Sequence, residues 1–198
     1  MPVSPAHRAR TDEELVRLIN RQDTAAFDEL YQRYSRRLLH YLCRMLGEDE
    51  DKAQDFLQEV FLKVIEKGSS FAPAQRFSPW VFSLAHHLCC NEYRRLQVRR
   101  DAIPEVAAVL PLPPVSADCP ETALDQQAFA ASLRRELSFM DEARRSTFLL
   151  RYQEGFSLRE IGAVLGCSTG TVKSRLFYTI RHLAAKLAVH DPCNSEGT

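Results

Sequence analysis

The sequence predicts an all-α protein of two small helical domains joined by a proline-rich linker. Three observations carry this expectation. Helical periodicity recurs along both halves of the 198 residues, while alternating strand patterns are nearly absent. Reciprocal capping pairs, Thr11 with Glu14 and Ser157 with Glu160, stand where helices should start. Residues 101–122, DAIPEVAAVLPLPPVSADCPET, hold five prolines and no sustained period, the composition of a partly extended linker. The expected division is a disordered tail over 1–10, a helical domain over 11–100, the linker over 101–122, a second domain over 123–188 and a disordered tail over 189–198.

The elements follow in order. Thr11 opens a helix through Leu15, Leu18 and Ile19. Phe27, Leu30, Tyr31, Tyr34, Leu38, Leu42 and Met45 mark the apolar side of the next, which should stop at Gly47. Further helices are expected over about 50–67 and 78–97. In the second domain, Ser157 starts a short helix with Ile161, Val164 and Leu165 on one side, and Gly166 ends it. Ser168 is placed to cap the helix that follows. Val172, Leu176, Thr179, Ile180 and Leu183 form its inner side, with Gly170, Ser174, Phe177, Tyr178 and Arg181 opposite and Lys173 and Arg175 on the flanks.

Two short helices around a tight turn, the second offering small, hydroxyl and basic groups outward, fit the major groove of DNA. Residues 171–186 contain four Lys or Arg and no acid, which favours this reading over an ordinary surface helix pair.

Composition adds bounds. Lys plus Arg and Asp plus Glu both total 26, so net charge names no partner. Its distribution says more: residues 48–59, EDEDKAQDFLQE, hold six acids against one Lys, whereas RRLQVRR at 94–100 is purely basic. Segregated charge in a neutral chain suits partners of both signs. No run has transmembrane length, and the basic amino terminus MPVSPAHRAR leads into a polar amphipathic helix, so a cytoplasmic protein without membrane insertion is expected. Cys43, Cys89, Cys90, Cys119, Cys167 and Cys193 lack zinc-site spacing and should stay reduced there.

Two more surfaces stand out. On the helix after Asp51, Ala53, Phe56, Leu57, Val60 and Val64 turn inward, leaving Leu62 amid Asp55, Gln58, Glu59 and Glu66. A lone exposed Leu is ordinary, but one framed by carboxylates is what a docking site for a basic protein helix would look like. On the helix over 78–97, Val81, Leu84, Ala85, Leu88 and Cys89 form the core side, with Ser83, His87, Cys90 and Arg94 opposite and Trp80, His86 and Asn91 near the edges. Aromatic, imidazole, amide and guanidinium groups on one surface suit single-stranded DNA. Trp80 alone also reads as a core residue. His86, His87 and Cys90 have spacings at which two could share an ion, but no second ligand pair lies near, and no metal or cofactor is expected.

These pieces in this order resemble the sigma-70 family of bacterial transcription initiation factors, in particular its extracytoplasmic-function group. AQDFLQEVFLKV (53–64) is similar to the segment that grips the polymerase clamp helices. FSPWVFSLAHHLCCNEYRR (77–95) resembles the segment that opens and reads the −10 element, and EGFSLREIGAVLGCSTGTVKSRL (154–176) the −35 reader. The resemblance makes 22–96 region 2 and 126–187 region 4, and implies a non-catalytic promoter-specificity subunit. Asp55, Gln58, Glu59 and Leu62 would meet the clamp helices of the largest subunit of core RNA polymerase. Arg76, Ser78, Trp80, His87, Asn91, Arg94 and Arg95 would face the −10 region, with a non-template base held by the loop from Gly68 to Ser78. Ser168, Thr171, Lys173, Ser174, Arg175, Phe177, Tyr178 and Arg181 would serve the duplex at −35. The resemblance also implies an anti-sigma factor as inhibitor.

The chain departs from the family pattern at His86–His87, where relatives often carry Arg-Asn, at Asn91, where many carry Asp, and at Tyr178, where many carry Arg. Phe139–Met140 replaces the usual Leu-Pro. Twenty-two linker residues at ~3.4 Å each reach ~75 Å. Elements about 17 base pairs apart lie roughly 58 Å apart on the duplex. Two rivals stay open at this level: a stand-alone helix-turn-helix regulator, and a thiol- or metal-responsive one using His86, His87 and Cys90. An enzyme finds no nucleophile–base pair or phosphate loop to rest on.

Overall fold

The computed structural model describes residues 5–72, 75–102 and 121–187. They form helices α1 (Pro5–Arg8), α2 (Asp12–Ile19), α3 (Thr24–Met45), α4 (Glu50–Lys67), α5 (Phe77–Ala102), α6 (Glu121–Ser138), α7 (Glu142–Tyr152), α8 (Leu158–Leu165) and α9 (Thr169–Leu187), with a 3₁₀ turn at Gly68–Ser70. No strand occurs among the described residues. Helices α1–α5 pack as one bundle and α6–α9 as another, and the two bundles meet where α5 packs on α8 and α3 on α7.

Helices α2–α5 and α7–α9 begin where a side chain satisfies otherwise orphaned amides. Thr11 and Glu14 cap α2 reciprocally, and Ser157 and Glu160 do the same for α8. Asp23 accepts from the Ala26 amide, Asp49 from Lys52 and Asp141 from Arg144, opening α3, α4 and α7. The first amide of α5, on Phe77, donates to Glu13 of α2 at 3.0 Å, so this helix is capped from across the bundle.

The first core draws Leu15, Leu30, Tyr34, Leu38, Leu42 and Met45 from α2 and α3, with Leu57, Val60 and Val64 from α4 and Val81, Ala85 and Cys89 from α5. The second is built on Leu149, Leu150, Phe156, Ile161, Val164, Val172, Leu176 and Leu183. The outward sides of these helices are largely polar, so burial of one stripe per helix sets most of the packing.

Three boundaries differ from the sequence reading. The tail assigned to 1–10 contains α1, which is tied down: Arg33 donates to the carbonyls of His7, Arg8 and Arg10, and His7 pairs with Asp23 at 3.1 Å. Helix α5 runs to Ala102, past the expected end near 97, because 94–102 contains no breaker before Pro104. Helix α6 begins at Glu121, right after Pro120. The rest of the expected linker, and the tail over 189–198, lie outside the described residues.

Candidate binding surfaces on three helices

Helix α4 presents the predicted acidic and apolar face. Ala53, Leu57, Val60, Phe61 and Val64 are buried, while Asp55 and Gln58 are exposed. Glu59 pairs with Lys63 at 3.0 Å, which holds one carboxylate beside Leu62. Leu62 is 58% exposed, and the neighbouring Ile65 is 50% exposed. Ile65 escaped the sequence reading. Tyr31 of α3, whose ring lies 4.8 Å from that of Phe61, adds a third partly exposed apolar group. An apolar centre rimmed by carboxylates is suited to a cationic helix, since the rim orients the partner and the centre supplies desolvation.

Helix α5 carries the second surface. His87 is exposed, and its Nδ1 lies 2.6 Å from the Ser83 carbonyl; a proton there makes Nδ1 the donor and leaves Nε2 facing outward. One helical turn on, Arg94 donates to the amide oxygen of Asn91 at 3.3 Å, and Arg95 pairs with Glu92 at 3.2 Å. Ser78 is half-buried. Trp80 is also half-buried, packed on Phe71 (5.0 Å) and Phe77 (5.8 Å), so one part of its indole belongs to an aromatic cluster and the rest is accessible. Of the loop from Gly68 to Ser78, residues 73–74 are outside the described residues.

The third surface is the α8–turn–α9 unit. Gly166 adopts φ +62°, the left-handed cap that ends α8. A Cβ on Gly162 would stand 2.7 Å from the Cys167 carbonyl oxygen, so the turn needs glycine at 162 as well. Ser168 caps α9 through the Thr171 amide at 3.1 Å and also bonds the Thr171 hydroxyl at 3.0 Å. Ser174 donates back to the Thr171 carbonyl. Lys173, Phe177, Tyr178 and Arg181 are exposed on one side, with the Phe177 and Tyr178 rings edge-to-face at 5.4 Å. Arg175 is half-buried, with Nη1 3.6 Å from the Cys167 sulfur. Ile180, assigned inward from the sequence, is 43% exposed instead. The buried stripe of α9 is narrow, Val172–Leu176–Thr179–Leu183, and Ile180 sits at its edge.

Between the bundles lies a seam that the sequence reading did not contain. Phe82 of α5 is fully buried, with its ring 5.4 Å from Tyr41 and 5.3 Å from Phe156. His86, placed near an edge by the helical wheel, is buried as well, with Nδ1 3.4 Å from the Tyr41 hydroxyl and Nε2 3.3 Å from the Cys90 sulfur. Burial, with the charges of His87 and Arg175 nearby, pushes the His86 pKa down to about 4, so the ring is neutral at pH 7. Burial likewise raises the Cys90 thiol above its ordinary pKa, with Glu142 adding to the effect. No group of three or more His, Cys, Asp or Glu suited to a metal ion occurs among the described residues.

Arg145 of α7 is the largest omission of the sequence reading. Buried at 6% exposure, it donates to the carbonyls of Leu137, Ser138 and Met140 in its own bundle. It also reaches the Met45 carbonyl at 2.9 Å and the Tyr93 hydroxyl at 2.8 Å in the other. A buried guanidinium is tolerated only when its donors are met, as these are.

The residues match two family models: Sigma-70 region 2 over residues 30–99, and Sigma-70, region 4 over residues 130–183. RNA polymerase sigma factor YlaC of Bacillus subtilis is 30% identical over 76% of this chain and 86% of its own length. RNA polymerase sigma-H factor of Pseudomonas aeruginosa is 29% identical over 84% of this chain and 88% of its own. The ECF RNA polymerase sigma-E factor of Escherichia coli K12 is 28% identical over 84% and 89%. Among solved structures, CnrH in complex with the cytosolic domain of CnrY superposes with TM-score 0.67 at 22% identity, covering 91% of this chain and 99% of that one. RpoE of Bartonella quintana, crystallised with the anti-sigma factor NepR, superposes with TM-score 0.64 at 23% identity, over 82% and 97%. No helix among the described residues is long and apolar enough to cross a membrane.

Proposed function

Because this chain belongs to the extracytoplasmic-function group of the sigma-70 family of RNA polymerase sigma factors, we propose that it is a promoter-specificity subunit that binds core polymerase, reads −35 and −10 elements, helps open the duplex and is held in check by an anti-sigma factor. The observation that carries the proposal is the segregation of surfaces. One chain exposes an acidic rim around Leu62 on α4, an imidazole–amide–guanidinium row on α5 and a basic aromatic face on α9.

The division of labour follows from the chemistry of each surface. Asp55, Gln58, Glu59 and Leu62 dock the clamp helices of the largest polymerase subunit, with Ile65 widening the apolar centre. Lys173, Arg175 and Arg181 neutralise phosphates around the −35 groove. Ser174, Phe177 and Tyr178 approach base edges, while Ser168 and Thr171 hold the start of the reading helix. At −10, Arg76, Arg94 and Arg95 hold the backbone of the displaced strand, and Ser78, Trp80, His87 and Asn91 contact its unstacked bases. Phosphodiester chemistry belongs to the core enzyme, and this chain needs no cofactor of its own.

Two modest DNA-reading domains on one polymerase raise each other's effective concentration, so neither must bind tightly alone. A near-neutral chain suits that arrangement, since a free copy gains little from the phosphate field. The proposal places the protein in the cytoplasm with its polymerase. RpoE of Bartonella quintana, crystallised with the anti-sigma factor NepR, supports an anti-sigma partner for this chain.

The test is run-off transcription with purified core polymerase on a promoter library, comparing wild type with Asp55→Ala/Leu62→Arg. Promoter-specific transcripts that require the protein and vanish in the double variant are expected. Absence of any transcript, with nanomolar duplex binding by the chain alone, would replace this reading with a stand-alone regulator.

A further inference from the structure

We propose that Tyr178 determines specificity at −35: its ring, backed by Phe177, packs on the methyl group of a thymine, so the element this chain selects carries thymine where the middle of α9 meets the groove. This deepens the functional reading above and rests on it.

The middle of α9 turns two large aromatic side chains outward. Phe177 is 60% exposed and Tyr178 is 55% exposed. Single apolar groups scattered over a surface are ordinary, whereas a contiguous patch marks a contact site. The two ring centroids lie 5.4 Å apart at an interplanar angle of 78°. This edge-to-face contact makes Phe177 a buttress that limits where the Tyr178 ring can swing.

The groups one turn away from Tyr178 decide what its ring can meet, because residues three and four apart are neighbours on a helix. Ser174 donates its hydroxyl proton to the Thr171 carbonyl at 3.0 Å. Arg175 is half-buried, with its guanidinium beside the Cys167 sulfur. His182 is drawn to Glu136 of α6 at 3.5 Å. Arg181 is the remaining neighbour, and it is exposed. The patch around Tyr178 is therefore apolar, with a cation at one edge.

The chemistry of base edges turns that patch into a preference. Guanine is recognised through its O6 and N7 acceptors by a guanidinium or ammonium, and adenine through N6 and N7 by a side-chain amide. A tyrosine hydroxyl offers a single hydrogen bond, and N7 is common to both purines, so the hydroxyl alone separates them poorly. The ring does separate thymine from the other three bases, since thymine alone presents a methyl group in the major groove. Donors for guanine stand farther along the helix: Arg181 lies ~4.5 Å and Lys173 ~7.5 Å from Tyr178 along the axis, at ~1.5 Å per residue. Those offsets are roughly one and two base steps of ~3.4 Å, so the thymine preference should be confined to one or two adjacent positions.

The experiment uses the full chain with core polymerase and a promoter library randomised across −35, the transcripts being sequenced. Wild type should select thymine at a position where Tyr178→Ala flattens the preference, with selection at the other positions retained as proof that the variant still folds and docks. Replacing that thymine by deoxyuridine, which lacks only the methyl, should lower transcription by wild type about four-fold, the worth of one methyl group removed from water. The same replacement should leave Tyr178→Ala unaffected. Tyr178→Phe should keep the thymine preference, and Tyr178→Arg should move it to guanine by about ten-fold. The inference is overturned if no position responds to residue 178, if deoxyuridine serves as well as thymine, or if Tyr178→Phe loses the preference. Those outcomes leave the functional reading standing, because wild-type transcription persists in each. A wild type that yields no polymerase-dependent transcript at all would remove the functional reading and this inference with it.

Discussion

Helices α4 and α5 pack against each other in the same bundle, yet α4 buries one side and α5 buries two. Along α4 the buried positions form one stripe, and Leu62 and Ile65 stand in solvent. Along α5, Val81, Ala85 and Cys89 face their own bundle while Phe82 and His86 are covered with the help of the other. A one-sided helix is finished once its bundle folds. A two-sided helix is finished only when something covers the second side. In this molecule the α6–α9 bundle supplies that cover, with Phe156 against Phe82, so two adjacent helices of one bundle differ in whether their second side is open to solvent or buried.

The contrast is sharpened most by Phe82→Ala. Removing a ring fully enclosed by Tyr41 and Phe156 should cost about 3–5 kcal/mol in urea unfolding followed by circular dichroism. A cost below about 1 kcal/mol would mean that the second side of α5 is open in solution.

Next in size is a pH effect. The unfolded chain protonates His86 near its ordinary pKa, whereas the folded ring resists down to about 4 because of burial and the nearby His87 and Arg175 charges. Between those values the unfolded state binds the extra proton, so stability falls as pH drops from about 6.5 to about 4. The His86 contribution amounts to about 3 kcal/mol over that window, and His86→Leu should remove that part of the slope.

A smaller loss attends the Tyr41–Ser146 hydrogen bond. Tyr41→Phe strands a buried hydroxyl and should cost about 1–2 kcal/mol, and Tyr41→Phe/Ser146→Ala should cost less than the sum of the single changes. Smallest is Leu62→Arg on α4: it should stay within about 0.5 kcal/mol of wild type in stability while, on the proposed function, removing transcription in the polymerase assay.

The same contrast explains what could be read in advance. The inward stripe of α4, its exposed Leu62, both reciprocal caps and the glycine stop of α8 are local patterns, set by spacing on one helix. The outward face of α9 was legible for that reason too. Phe82 and His86 were not, because a helical wheel knows one inside, and theirs belongs partly to a second bundle, where the ring against Phe82 is that of Phe156, 74 positions on. Arg145 and Ser146 carried no signal: a polar pair in a short helix looks solvated until the Met45 carbonyl and Tyr41 hydroxyl are placed against it. Ile180 failed in the opposite direction, because the buried stripe of α9 is narrower than an apolar count suggests.

The position of Arg145 in the chain has a consequence for synthesis. Its hydrogen bonds to Leu137, Ser138 and Met140 mean that the donor is in place only after the α6–α7 turn has formed. A ribosome adding about 5–20 residues per second leaves roughly 3–13 s between the emergence of Phe82 and that of Arg145. Once α5 has emerged to Ala102, the first bundle still lacks its cover, and the Phe82 ring has Tyr41 beside it but not yet Phe156. The nascent chain is at its most adhesive at that moment, and helper proteins that bind apolar segments on the ribosome would meet it there.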